Sequence, residues 1–217
     1  MKENKLIFKQ NLDLLDDYTV IIVDEQRGFY HPQGNLYVKG GEDAVKNTVA
    51  LIESPLNIKR VIPTMDFHLY EANSYKESNI EWPWHCMAYS EDAGIANDVV
   101  IACAKKNIPM DFFIKGNCTP HTEYGAFEKI GTYSYEDGHM DIVTNNRMNN
   151  SPVHITTSNV IICGIAGDYC VMNTIKNLMK YNGPCKLNIF VFTQGIASID
   201  DGTTIKNFIK ENNLTEI

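Results

Sequence analysis

The chain lacks any run of about 18 apolar residues, which excludes a membrane-spanning helix. Its first residues, MKENKLIFKQNLDLLDD, hold only a short apolar stretch broken by Lys9, Gln10 and Asn11, and do not read as a signal peptide. Positive charge is in short supply. Lys and Arg number 19 against 27 Asp and Glu, a net charge of −8, so no basic patch is on hand to neutralise phosphates. That argues against nucleic acid as the main partner. The six cysteines (86, 103, 118, 163, 170 and 185) include no CxxC pair and read as reduced thiols of a cytoplasmic protein, most of them in the core. No internal repeat, low-complexity tract or linker interrupts the chain.

What is present fits one domain over residues 1–217, with 1–17 as an N-terminal extension. A chain of this length hides about 70% of its unfolded surface, enough for a core without staples. Apolar residues make up 44% and charged residues 21%, the balance of a folded protein. Strand-like and helix-like segments alternate. Strands are expected at Tyr18–Val23, Arg60–Met65, Met110–Ile114, Asn159–Cys163 and Leu187–Phe192. Helical patterns follow Gly40-Gly41 up to Pro55, then cover Ile95–Lys105, Tyr169–Tyr181 and Gly202–Asn212. Pro63 points to an edge position for the second strand. Residues 119–157 give no clear pattern. Alternation of this kind predicts βαβ units: a three-layer, doubly wound α/β fold whose mainly parallel central sheet has about six strands and is covered on both faces.

In an open α/β sheet, ligands bind beyond the carboxyl ends of the strands. Asp24 follows the first strand, Asp66 and His68 the second, Lys115 the third and Cys170 the turn after the fourth. Alone, an aspartate after a strand usually caps a turn and a lysine is usually solvated; together with a cysteine they form a plausible nucleophile set. Gly164-Ile165-Ala166-Gly167-Asp168-Tyr169-Cys170 is a small-residue turn entering a helix. A thiol at a helix start meets the positive end of the dipole, which lowers its pKa, and nearby N–H groups can hold an oxyanion. Asp168 is placed to act as N-cap. The competing reading is an inert buried cysteine. Asp66-Phe67-His68, with His85 in Trp82-Pro83-Trp84-His85, offers one carboxylate and two imidazoles, which suits Zn, Fe or Mn and leaves coordination open. Ordinary loop histidines are the alternative.

These segments, taken in order from about residue 18 to 212, resemble the isochorismatase-like cysteine hydrolases, and within them the nicotinamidase branch. The likeness is carried by Val23-Asp24-Glu25-Gln26-Arg27-Gly28-Phe29, Gly34-Asn35-Leu36-Tyr37-Val38, Asp66-Phe67-His68, Trp82-Pro83-Trp84-His85-Cys86, Lys115-Gly116, Tyr124-Gly125-Ala126-Phe127 and Gly164 through Val171. The resemblance implies a metal-dependent amidase of NAD salvage that converts nicotinamide to nicotinate and ammonia. Cys170 would be the nucleophile, forming a thioester, Asp24 the base and then acid, and Lys115 the partner of Asp24. A cis peptide would precede the nucleophile turn at Ile165–Ala166, and the N–H groups of Ala166 and Cys170 would form the oxyanion hole. One divalent ion, Zn before Fe or Mn, would sit on Asp66, His68 and His85, with Ser74 as fourth ligand and Glu77 as its rival. Phe29, Trp82 and Tyr124 would pack on the ring. A homo-oligomer is common among such relatives.

The sequence also departs from the family pattern. Tyr89-Ser90 stands where Gly-Thr is frequent, Thr193-Gln194 where Thr-Asp is frequent, and 128–157 has no clear counterpart. A metal-free sibling, such as an isochorismatase-like or N-carbamoyl amide hydrolase, would share Asp24, Lys115 and Cys170 without needing the Asp/His/His set. A thiol redox protein would need a resolving cysteine, and a non-catalytic binding domain would not need the complete set.

Overall fold

The apolar segment YTVIIV becomes β1 (Asp17–Val23), in which every residue after Asp17 is buried. Its side chains alternate between two cores. Ile21 and Val23 join one cluster, Val20 and Ile22 the other. A strand buried on both faces needs cover on both faces, and helices supply it. The computed structural model describes residues 8, 12–69, 82–116, 123–127, 140–142, 153–155, 157–180 and 187–217.

After β1 come α1 (Arg27–Tyr30), α2 (Gly41–Glu53), β2 (Asn57–Asp66), α3 (Asn97–Lys105) and β3 (Phe113–Lys115). Then follow β4 (Met140–Ile142), β5 (Val153–Ile155), β6 (Asn159–Ile165), α4 (Met172–Met179), β7 (Asn188–Ala197), α5 (Thr203–Glu211) and β8 (Thr215–Glu216). The main sheet has six strands in the order β3-β2-β1-β6-β7-β8, and every neighbouring pair is parallel. Val45, Leu51 and Ile52 of α2 and Val99, Ala102 and Cys103 of α3 pack on one face. Ile175 and Leu178 of α4 and Ile205, Phe208 and Ile209 of α5 pack on the other. This is the three-layer α/β fold expected from the alternation of patterns.

Several local readings are corrected. β2 is an interior strand, although Pro63 suggested an edge. Val61 exchanges hydrogen bonds with Pro109 and Asp111, so Pro63, two residues on, presents its missing N–H to the same side, just where β3 has not yet begun. The proline therefore removes no ladder bond that β3 could make. Residues 140–142 and 153–155 form a separate two-stranded antiparallel pair in the stretch that gave no pattern. β7 runs five residues past Phe192, through Gly195, because the register of β6 shifts between Ile162 and Gly164 and brings Gly164 opposite Ile196. Gly164 has φ +124°, and a Cβ there would lie 2.0 Å from the Val23 carbonyl oxygen, so this close approach of β6 to β1 requires glycine.

Candidate active site

The carboxyl ends of β1, β2, β3 and β6 converge, and the ordering of the strands brings distant residues together. Asp24 leaves β1 in a left-handed conformation (φ +50°), its N–H bonded to the Thr64 carbonyl (3.2 Å). The Thr64 hydroxyl donates to Asp24 Oδ1 at 2.6 Å. Lys115 closes β3, fully buried. Its Nζ lies 2.7 Å from Asp24 Oδ2, pairs also with Asp66 Oδ1, and stands 3.8 Å from Cys170 Sγ. The lysine thus bridges the base proposed from sequence and the carboxylate at the end of β2, a link that spacing in the chain gives no hint of. Gln26 adds a second link: its amide donates to the Asp66 carbonyl and accepts from the Asp66 N–H, both at 2.7 Å, clamping the end of β2 to the segment after β1.

Cys170 sits in a π-helical turn, Gly167–Val171, that precedes α4. The Ile165–Ala166 peptide is cis, as the resemblance implied. Two expectations about this turn are overturned. Asp168 does not cap α4; its carboxylate accepts from the N–H groups of Ile199 (3.0 Å) and Asp200 (3.1 Å), tying the turn to the loop after β7. Nor is the thiol pKa lowered. Burial pushes Cys170 well above the ordinary thiol range; Lys115 opposes the rise without reversing it. A helix end contributes a fraction of a charge, whereas removal from water penalises the whole thiolate.

The two carboxylates beside Lys115 divide its influence unequally. Burial raises Asp24 above the ordinary carboxylate range, against the pull of Lys115. Burial also works on Asp66, but Lys115, His68 and His85 outweigh it and hold Asp66 well below that range. Lys115 itself, despite burial, is held firmly cationic by Asp24 and Asp66. Asp24 is therefore the carboxylate readier to take a proton, and the carboxylate and thiol atoms of Asp24, Asp66 and Cys170 all lie within 4.8 Å of one another.

Asp66, His68 and His85 form a second group, again with donor atoms within 4.8 Å. Asp66 Oδ2 is 3.6 Å from His68 Nε2 and 3.9 Å from His85 Nε2. His68 Nδ1 is 2.9 Å from the Gly116 carbonyl oxygen and His85 Nδ1 is 2.6 Å from that of Pro83. Carbonyls accept only, so each ring carries its proton on Nδ1 and turns Nε2 towards Asp66, as ligating histidines do. Burial keeps the His85 pKa below the ordinary histidine value; for His68, the Asp66 carboxylate overcomes burial and raises it. One carboxylate and two imidazole donors around one point fit a divalent ion. Ser74 and Glu77, the rivals for a fourth ligand, lie outside the described residues.

A pocket opens over both groups. Phe29, Trp82 and Tyr124 line it together with Ala166, Cys170, Asp66, His68 and His85. Leu36, Val38, Glu123, Tyr169 and Ile199 also line it and had been given no role. Trp82 Nε1 donates to the Tyr124 hydroxyl (3.1 Å), and Tyr169 stands 5.4 Å from both rings, edge-on to Trp82 and tilted to Tyr124. Tyr169 was legible only as a neighbour of the nucleophile, and Glu123 only as the residue before an aromatic motif. Their roles arise from segments far apart in the chain.

Fold and site together define a parallel α/β sheet carrying a buried carboxylate, lysine and thiol at its strand ends. No family model matches the chain. A curated nicotinamidase of Saccharomyces cerevisiae (strain ATCC 204508 / S288c) is 25% identical over 181 residues, 72% of this chain and 78% of that one. Among solved structures, PnC1 from L. infantum in complex with nicotinate superposes with TM-score 0.70 at 22% identity, over 96% of this chain and 95% of the other. The yeast nicotinamidase Pnc1p bound to the inhibitor nicotinaldehyde gives 0.67 at 20% identity, over 92% and 99%. Pyrazinamidase of Pyrococcus horikoshii in complex with zinc gives 0.63 at 20% identity, over 92% and 98%. The chain is thus nicotinamidase-like in sequence and has the nicotinamidase fold.

Proposed function

We propose that the protein is an amidohydrolase that converts nicotinamide to nicotinate and ammonia through a thioester on Cys170. The observation that carries the reading is that Cys170, Asp66, His68 and His85 line one pocket with several aromatic rings, while Lys115, buried behind it, joins Asp24 to Asp66 and Cys170. Asp24 takes the thiol proton as Cys170 Sγ attacks the carboxamide carbon, and passes it to the departing ammonia. The raised pKa of the thiol makes an adjacent base necessary, and the raised pKa of Asp24 suits it to that work. Lys115 stays charged and keeps Asp24 from holding its proton too tightly. The N–H groups of Ala166 and Cys170 hold the developing oxyanion. Water then hydrolyses the thioester, with Asp24 again as base.

Asp66, His68 and His85 would hold a divalent ion, most readily Zn. When bound, it supplies a Lewis-acid contact for the pyridine nitrogen and so orients the substrate. Phe29, Trp82 and Tyr124 pack on the ring. A place in NAD salvage, a cytoplasmic setting and a homo-oligomeric state belong to the same reading, the last to be checked by light scattering. No helix among the described residues is long and apolar enough to cross a membrane.

The test is ammonia release from nicotinamide by purified protein before and after chelation, with metal content measured on the same sample. Release that chelation abolishes and metal restores is expected. A folded, metal-loaded protein that releases none would redirect the reading to another carboxamide. A protein that neither holds metal nor releases ammonia would point to the metal-free siblings. His68→Ala should lower metal content and raise KM more than it changes thiol reactivity; unchanged metal content would overturn the ligand set.

A further inference from the structure

Gly116, the residue after Lys115, touches both halves of the site. It lies at φ +75°, and a Cβ there would fall 2.7 Å from His68 Cε1 and 2.9 Å from His68 Nδ1, so the imidazole rests directly against this backbone. The Gly116 carbonyl takes the His68 Nδ1–H at 2.9 Å, and its own N–H donates to Glu123 Oε2 at 3.0 Å. Glycine has the widest torsional freedom of any residue, so the turn holds one conformation only if both of its peptide groups are pinned. His68 pins one; on the other, the Phe67 N–H holds the Lys115 carbonyl at 3.0 Å and Glu123 holds the opposite edge, the Gly116 N–H.

Glu123 is itself held from behind. Three residues on, the Ala126 N–H donates to Thr174 Oγ1 (3.0 Å) and the Ala126 carbonyl accepts from Asn177 Nδ2 (2.9 Å), both on α4, which follows directly on the turn bearing Cys170. A chain of contacts therefore runs from α4 through Glu123 and Gly116 to the ring of His68. Groups that orient a ligating histidine through its second nitrogen commonly matter 10–100-fold in metal affinity.

We propose that Glu123 is a positioning residue of the metal half of the site: it fixes the Gly116 turn, and the turn fixes the direction of His68 Nε2. This rests on the reading of Asp66, His68 and His85 as metal ligands. Glu123 also lines the pocket, so a change there reaches substrate as well as metal, and activity alone does not separate the two.

The experiment is Zn2+ affinity by competition with a chromogenic chelator, on wild type, Glu123→Ala and Glu123→Gln. Iodoacetamide alkylation of Cys170 in the metal-free proteins is measured alongside. Glu123→Ala is expected to bind Zn2+ about 10–100-fold more weakly. Glu123→Gln, whose amide oxygen can still accept from Gly116, should stay within about threefold of wild type. Alkylation rates should agree in all three, a pattern that general loosening of the fold would not give. If Glu123→Ala does not fold, Glu123→Asp, which withdraws the carboxylate by one methylene, should show the same loss to a smaller degree. Wild-type affinity in Glu123→Ala, or in Glu123→Asp where that variant replaces it, overturns the proposal and leaves the ligand set standing. A folded wild type that does not bind Zn2+ overturns the ligand set, and the proposal with it.

Discussion

Two carboxyl groups, adjacent in sequence, sit on opposite sides of the sheet at the end of β1, and each has a buried cysteine for a neighbour. On one side Asp24 faces Lys115, Thr64 and Cys170. On the other, Glu25 accepts from the Thr48 hydroxyl at 2.5 Å, and that hydroxyl stands 3.4 Å from Cys163 Sγ. Both acids are fully buried. The difference lies in the cation and the opening. Lys115 lies 2.7 Å from Asp24 Oδ2, and Cys170 lines the pocket, as the proposed proton transfer between acid and thiol requires. Among the described residues Glu25 has only Thr48 to offset burial and its Oε2 finds no hydrogen-bond partner, and its pKa is pushed up to about 8. Cys163 is pushed well above the ordinary thiol range and lines no part of the pocket. On the proposed mechanism, an acid and a thiol become a nucleophile only with a charge between them and a way in for substrate.

Exchanging the features of the two sides tests that contrast. The largest effect is expected from Cys170→Ala, which should cut ammonia release by at least about 10³-fold while substrate still binds, judged from the scale of nucleophile removals in other enzymes. Retained turnover would remove Cys170 from its role. Lys115→Met gives the Asp24 side the poverty of the Glu25 side. Two buried carboxylates then lose their shared cation, and denaturant titration at pH 7 should show a loss of about 3–5 kcal/mol, together with most of the activity. A stability equal to wild type would mean that the lysine is not what holds this group.

The opposite change, Glu25→Gln, should improve the protein at high pH. Glu25 keeps its proton to about pH 8 in the fold, against an ordinary value of 4.5, so folding takes up a proton between those values. The stability tied to this group is whole below pH 4.5 and drains away as pH rises through 8. Gln removes that slope. Urea titrations from pH 5 to 9 should show the variant gaining on wild type up to about pH 8 and levelling off above it, with an upper bound of roughly 5 kcal/mol. Parallel curves would show that Glu25 is ionised at no such cost. The smallest effect belongs to Cys163→Ala: about 1–2 kcal/mol of stability from the lost sulfur, and ammonia release within about threefold of wild type.

Much of the fold was legible because its strands are short apolar runs and its helices carry clean periodicity. Tyr18–Val23 and Asn159–Cys163 announced themselves as buried strands, and Asp24 and Lys115 fell at strand ends where ligand chemistry belongs. What was not legible depended on neighbours. Pro63 reads as an edge signal, and only the late start of β3 makes it harmless in an interior strand. The fifth strand reads as ending at Phe192, and only the register shift of β6 carries β7 on to Ala197. Asp168 reads as a cap, yet its partners lie some 30 residues away at Ile199 and Asp200.

The sequence by itself determined the parallel α/β layering, the types of residue at the strand ends and the order in which they come. These follow from local periodicity and from the rule that such sheets bind ligands at their carboxyl edge. Only the tertiary structure decided that one lysine serves two carboxylates, that burial raises the Cys170 pKa instead of lowering it, and that Glu123 reaches His68 through Gly116. Each of these turns on distance and burial between segments far apart in the chain, and electrostatic energy depends on separation and exposure to water, neither of which a linear pattern records.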